Sequence, residues 1–110
     1  MGHAGRVAAA EARRVRLLYS RDAIADLDRL RAFIAAHDPT AAARIVETRI
    51  ERTARLADFP AMGRRLDESP KVLDIREFAF GDHVVRYLTT AETVIVLRVW
   101  HHLESRGPLG

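Results

Sequence analysis

The apolar positions of this chain change period along its length, and each change marks an element. Val15-Arg16-Leu17-Leu18-Tyr19 is short and β-prone, and it predicts a first strand. Ser20 then stands as an N-cap, with Asp22 in the first turn to complement the helix dipole. Ile24, Leu27, Leu30 and Ile34 recur at spacings of three and four, which predicts an amphipathic helix to about Ala36. Asp38-Pro39 restarts the helix: the carboxylate caps, and proline suits the first helical position, where an N–H has no partner anyway. The second helix is predicted from Thr40 to about Asp58, with Ile45, Val46, Ile50 and Leu56 on its apolar side. So short a link makes the two helices an antiparallel hairpin.

Phe59-Pro60-Ala61-Met62-Gly63-Arg64 stops the second helix, and a polar loop runs on to Pro70. The period then falls to two. Leu73 and Ile75 alternate with Asp74 and Arg76, one face dry and one wet. Gly81-Asp82 turns the chain into His83-Val84-Val85-Arg86-Tyr87-Leu88, and a turn from Thr89 to Glu92 leads into Val94-Ile95-Val96-Leu97-Arg98-Val99-Trp100-His101-His102. This last run is the most continuously apolar and β-branched in the chain, and it predicts a strand buried on both faces. Arg98 interrupts it, and a charge in a core strand must reach the surface or find a partner. The expected fold is α+β, in the order β-α-α-β-β-β, with a helical hairpin packed on a small, mostly antiparallel sheet. One domain should span residues 15–103. Residues 1–14 read as an extension, unstructured or partly helical, and 104–110 as a tail.

A chain of 110 residues fits a single domain, and the absence of cysteine excludes disulfides and thiolate metal sites. The net charge is +3 and the pI about 10.2, yet no polybasic stripe forms. Composition therefore allows nucleic-acid binding without indicating it. No apolar stretch is long enough for a membrane span, and the expected location is cytoplasmic. No cofactor is expected.

Several local signatures now add up. They are Ser20-Arg21-Asp22-Ala23-Ile24-Ala25-Asp26-Leu27, the restart Asp38-Pro39-Thr40-Ala41-Ala42, and Leu56-Ala57-Asp58-Phe59-Pro60-Ala61-Met62-Gly63-Arg64. Ile75-Arg76-Glu77-Phe78, Arg86-Tyr87 and Val96-Leu97-Arg98-Val99-Trp100-His101 follow in order. Together with the element order they resemble the RelE/ParE superfamily of bacterial type II toxins, the ParE branch most. The resemblance implies a cytoplasmic toxin neutralised by a cognate antitoxin, with which it would form a hetero-oligomer. It would touch DNA only through that antitoxin. ParE-like members poison DNA gyrase, and RelE-like members cleave messenger RNA on the ribosome.

RNA cleavage of the second kind needs a base for the 2′-hydroxyl, an acid for the leaving oxygen, and cations for the developing phosphorane charge. RelE-like toxins resemble one another in a basic residue on the third strand and in basic and tyrosine residues past the last strand. Here the third-strand position is apolar, at Val84-Val85, and Leu103-Glu104-Ser105 follows the last strand. His101 and His102 are the alternative catalytic pair, since imidazole titrates near neutral pH. The plainer expectation is that one packs under the helices and its neighbour, pointing oppositely, is solvated. For a metal, adjacent strand residues diverge and no third ligand is evident. Arg64, Arg76, Arg86 and Arg98 are the candidate partner-binding residues, the last three expected to line one sheet surface against an acidic antitoxin segment or gyrase. Asp74 and Glu77 are the ion-pair partners of the plainer reading, and Phe78, Phe80 and Tyr87 are expected in the core.

Overall fold

A computed structural model of the chain describes residues 15–67 and 72–102, so the expected extension and tail lie outside the described residues. Strand β1 (Arg16–Tyr19) leads into α1 (Arg21–His37) and α2 (Pro39–Thr53), and a 3-10 turn (Ala54–Ala57) closes the second helix. Strands β2 (Arg64–Arg65), β3 (Asp74–Phe80), β4 (His83–Thr89) and β5 (Thr93–His101) follow. They form one five-stranded sheet in the order β1-β5-β4-β3-β2. β1 runs parallel to β5, and every other pairing is antiparallel.

Both expected caps are made. The Ala23 N–H donates to Ser20 Oγ at 3.0 Å, and the Ala41 N–H donates to Asp38 Oδ1 at 3.1 Å. The Ser20 hydroxyl also donates to the Leu97 carbonyl at 2.9 Å, so the cap fastens the start of α1 to β5. The buried stripe of each helix differs from the expected one. α1 buries Ala23, Asp26 and Leu30, and Ile24 is 51% exposed. α2 buries Ala41, Ala42, Val46 and Thr53 and leaves Ile50 outside. Alanines line the buried sides because the backbones approach closely there, and large side chains are displaced to the rim. Leu56 is delivered to the core by the 3-10 turn rather than by a continuous helix.

Directly opposed residues of paired strands share a face. Leu17 and Tyr19, Val94, Val96 and Val99, Val85 and Tyr87, and Phe78 and Phe80 therefore point one way, toward Ala23, Leu30 and Leu56. This is the core, and each fully buried Val or Leu contributes about 1.5–3 kcal/mol. β5 is thus not sandwiched between layers as the apolar run predicts. The helices cover one face, and Ile95 and Leu97 lie half-buried on the other. A bulge, between the pairs Arg86–Arg98 and Tyr87–Val96, leaves Leu97 without a cross-strand partner and twists the strand end. The expected loop after residue 59 also contains a strand: Arg64 and Arg65 pair with Glu77 and Arg76.

Candidate partner-binding site

β1 stops at Tyr19, so residues 97–101 of β5 have no strand on that side. α1 takes the place of one. Its buried Asp26, only 2% exposed, accepts the Val99 N–H at 2.8 Å through Oδ2. Arg98 folds back onto the same carboxylate with two bonds, Nε to Oδ2 at 2.8 Å and Nη2 to Oδ1 at 3.0 Å. Arg29 adds Nη1 to Oδ1 at 2.8 Å. Burial alone would raise the Asp26 pKa, but the bonds from Arg98, Val99 and Arg29 outweigh it and hold the carboxyl below its ordinary value. The partner demanded by the Arg98 charge in the apolar last strand is therefore Asp26, which lies outside the apolar series Ile24, Leu27, Leu30 and Ile34 read from the sequence. Its spacing from Ala23 and Leu30, three and four residues, was the signal that it lies within the buried stripe.

Three of the four candidate arginines fall in one cross-sheet row. Arg64 opposes Glu77, Glu77 opposes Arg86, and Arg86 opposes Arg98, all on the face away from the helices. Arg86 is buried; its Nε donates to Glu77 Oε2 at 2.7 Å and its guanidinium lies 5.0 Å over the Trp100 ring. Beside this row runs an apolar one, Leu18, Ile95, Leu88 and Ile75. Arg64 is exposed and has no carboxylate partner among the described residues.

Arg76 departs from the expected surface. It opposes Tyr87, on the helix side, because strand neighbours alternate faces and Glu77 takes the outer position. Its guanidinium donates to the Gly63 carbonyl at 2.8 Å and to Asp74 at 3.0 Å. The Tyr87 hydroxyl donates to the Pro60 carbonyl at 2.7 Å and accepts the Gly63 N–H at 2.8 Å. A Cβ on Gly63 would come within 2.7 Å of both the Glu77 carbonyl and that hydroxyl, so only glycine fits. The Phe-Pro-x-x-Gly-Arg signature is thus a loop pinned by Tyr87 and Arg76, and it sets Arg64 at the start of β2.

His101 and His102 do not diverge. β5 ends at His101, the chain turns, and the two rings stack with centroids 4.7 Å apart. His102 is exposed; its N–H donates to the Asp82 carbonyl at 2.9 Å and its Nδ1 lies 2.8 Å from that oxygen. His101 is half-buried, with Nε2 3.7 Å from Asp82 Oδ2, and Arg49 pairs with Asp82 Oδ1 at 2.6 Å. Arg49, with its hydrogen bond and charge, keeps the Asp82 carboxyl below its ordinary value. Behind them His83 is buried with Nδ1 against Arg49, and desolvation, then the Arg49 charge, pushes its pKa down to about 4. It is a neutral core histidine at neutral pH. Sequence reasoning saw Gly81-Asp82 only as a turn and missed Arg49, Asp82 and His83 as a cluster. Among the described residues no three metal-ligating side chains come together, and no helix is long and apolar enough to cross a membrane.

A helical hairpin lies on one face of a five-stranded mixed sheet, locked at its edge by an arginine–carboxylate clasp, which makes this a small α+β protein. The family profile described as ParE toxin of type II toxin-antitoxin system, parDE, matches residues 17–106, and the chain belongs to that family. It is 32% identical over 90 residues to Toxin RelE1 of Caulobacter vibrioides, covering 82% of this chain and 96% of the relative. It is 31% identical over 83 residues to Toxin RelE3 of the same organism, covering 74% and 87%. A structure described as the chromosomal ParDE TA system from P. aeruginosa superposes with a TM-score of 0.64 over 81% of this chain and 97% of that one. At 17% identity, that likeness speaks for the fold. The chain is the toxin component of a type II toxin-antitoxin system, and that class implies an antitoxin partner.

Proposed function

We propose that this toxin acts by binding DNA gyrase, with no proton transfer of its own, and that its antitoxin occupies the same sheet face. The observation that carries the reading is the composition of that face. An arginine row with a buried tryptophan beneath it lies beside half-exposed Ile95 and Leu88 and the more exposed Leu18. Arginine and aromatic residues beside apolar area are what protein interfaces concentrate. An antitoxin segment with carboxylates facing Arg64 and apolar side chains over Leu18, Ile95 and Leu88 would suit it. Arg86 and Arg98 are engaged within the chain, so among the described residues of this row Arg64 is the cation offered to a partner.

The second reading, ribosome-dependent messenger RNA cleavage, draws on the names of the Caulobacter relatives and on His101 and His102. Against it, both histidines are tied to the Asp82 turn and β4 offers Val84 and Val85 where a base would be wanted. The two readings separate in a toxicity assay. Arg64→Glu should abolish growth inhibition without altering the fold, and His101→Ala and His102→Ala should each preserve it. A general acid or base contributes about 10²–10⁴-fold in rate, so a folded histidine variant without toxicity would transfer the proposal to the nuclease.

A further inference from the structure

α2 and the turn between β3 and β4 form an open hollow of about 310 Å³, lined by Arg44, Ile45, Thr48, Arg49, Arg52, Gly81 and Asp82. It shares no residue with the sheet face discussed above. We propose that this hollow is a binding site for a phosphate group, held by Arg44, Arg49 and Arg52.

Three guanidiniums face one carboxylate there. Arg44 and Arg52 flank Thr48 at four-residue spacing, so all three lie along one stripe of α2. Asp82 neutralises Arg49 alone, at 2.6 Å. Among the described residues neither Arg44 nor Arg52 has a carboxylate partner; Glu47 and Glu51, on the same helix, form no ion pair with either. Of the remaining titratable neighbours, His83 is neutral and accepts from Arg49, and His101 lies with Nε2 3.7 Å from Asp82 Oδ2. Gly81, at φ 66°, takes a left-handed conformation that keeps the turn tight, and a Cβ built there would already be 3.7 Å from Arg52 Nη1.

An excess of positive charge with no internal partner, on a pre-formed concave wall, selects an anion. Guanidinium forks match the oxygens of a phosphate in pairs, which favours phosphate over a halide. The volume is at the small end of ligand pockets, which run from about 300 to 1,000 Å³, so it admits a single phosphate with at most a nucleoside attached. That phosphate could come free, as inorganic phosphate or a nucleoside monophosphate, or as one phosphodiester of a nucleic acid strand. The binding chemistry is the same.

The test is a titration of the purified full-length chain, at constant ionic strength, followed by the Gly81 amide resonance. Inorganic phosphate, a nucleoside 5′-monophosphate and a short single-stranded oligonucleotide are added separately, with chloride as control. A saturable shift with phosphate, weakened at least about tenfold in Arg44→Gln/Arg52→Gln, supports the site. Tighter binding of the oligonucleotide, with a salt slope that falls by about 0.7 in the double variant when the titration is repeated at several ionic strengths, would identify the source as a nucleic acid strand. Equal affinity for free phosphate and oligonucleotide would identify a small anion. Both substitutions are on the exposed surface, so the thermal midpoint without phosphate should stay within about 3 °C. A shift that chloride reproduces, or that the double variant keeps in full, overturns the proposal.

Discussion

Asp26 accepts a main-chain N–H and two guanidiniums at once, and an amide in its place would keep the shape but lose the charge that Arg98 and Arg29 require. Breaking a buried pair by removing one partner costs about 3–5 kcal/mol, and the partial exposure of Arg98 places Asp26→Asn near the lower end. Urea unfolding of the variant against wild type measures this directly. Titrations in two pH ranges make the wild-type stability pH-dependent. His83 has its pKa lowered from 6.5 to about 4, so the unfolded chain binds the proton more readily and stability falls as pH drops from about 6.5 to about 4. Asp26 and Asp82 are both held below 3.8, so their contributions are complete above that value and are lost only at more acid pH. The urea midpoint should therefore decline in two stages. His83→Gln should flatten the first stage and leave the second; a single decline below pH 4 in wild type would contradict the assignment.

At the scale of elements, the loop of residues 59–64 is held from beneath by the Tyr87 hydroxyl. Tyr87→Phe strands the Gly63 N–H and the Pro60 carbonyl, and it should cost about 1–3 kcal/mol with faster amide exchange at Gly63. Unchanged exchange there would show that Arg76 alone holds the loop. Caps, turns and the order of the main elements along the chain were readable, because Ser20, Asp38-Pro39 and Gly81-Asp82 act within their own few residues. Local spacing could not show where the helices lie against the sheet. Ile24 looks like a core residue and Asp26 like a surface one until β1 ends early and α1 is drawn to the open edge of β5. β2 escaped notice because two arginines in succession carry no period. The arginine row was legible in part: Arg86 and Arg98 share a face with Arg64, and one residue of strand alternation sends Arg76 to the other side.

For the whole molecule, the proposed function makes the outer sheet face the surface that meets proteins. Co-expression with a cognate antitoxin should give a co-purifying hetero-oligomer, and Arg64→Glu should weaken it; independent elution at micromolar concentration would count against a shared face. The most direct measurement of the central claim is DNA supercoiling by purified gyrase with added wild-type chain, run beside messenger RNA cleavage on translating ribosomes. The account predicts that wild type, His101→Ala and His102→Ala all inhibit supercoiling, that Arg64→Glu does not, and that messenger RNA stays intact throughout. Normal supercoiling together with cleaved messenger RNA, abolished by either histidine substitution, would contradict it.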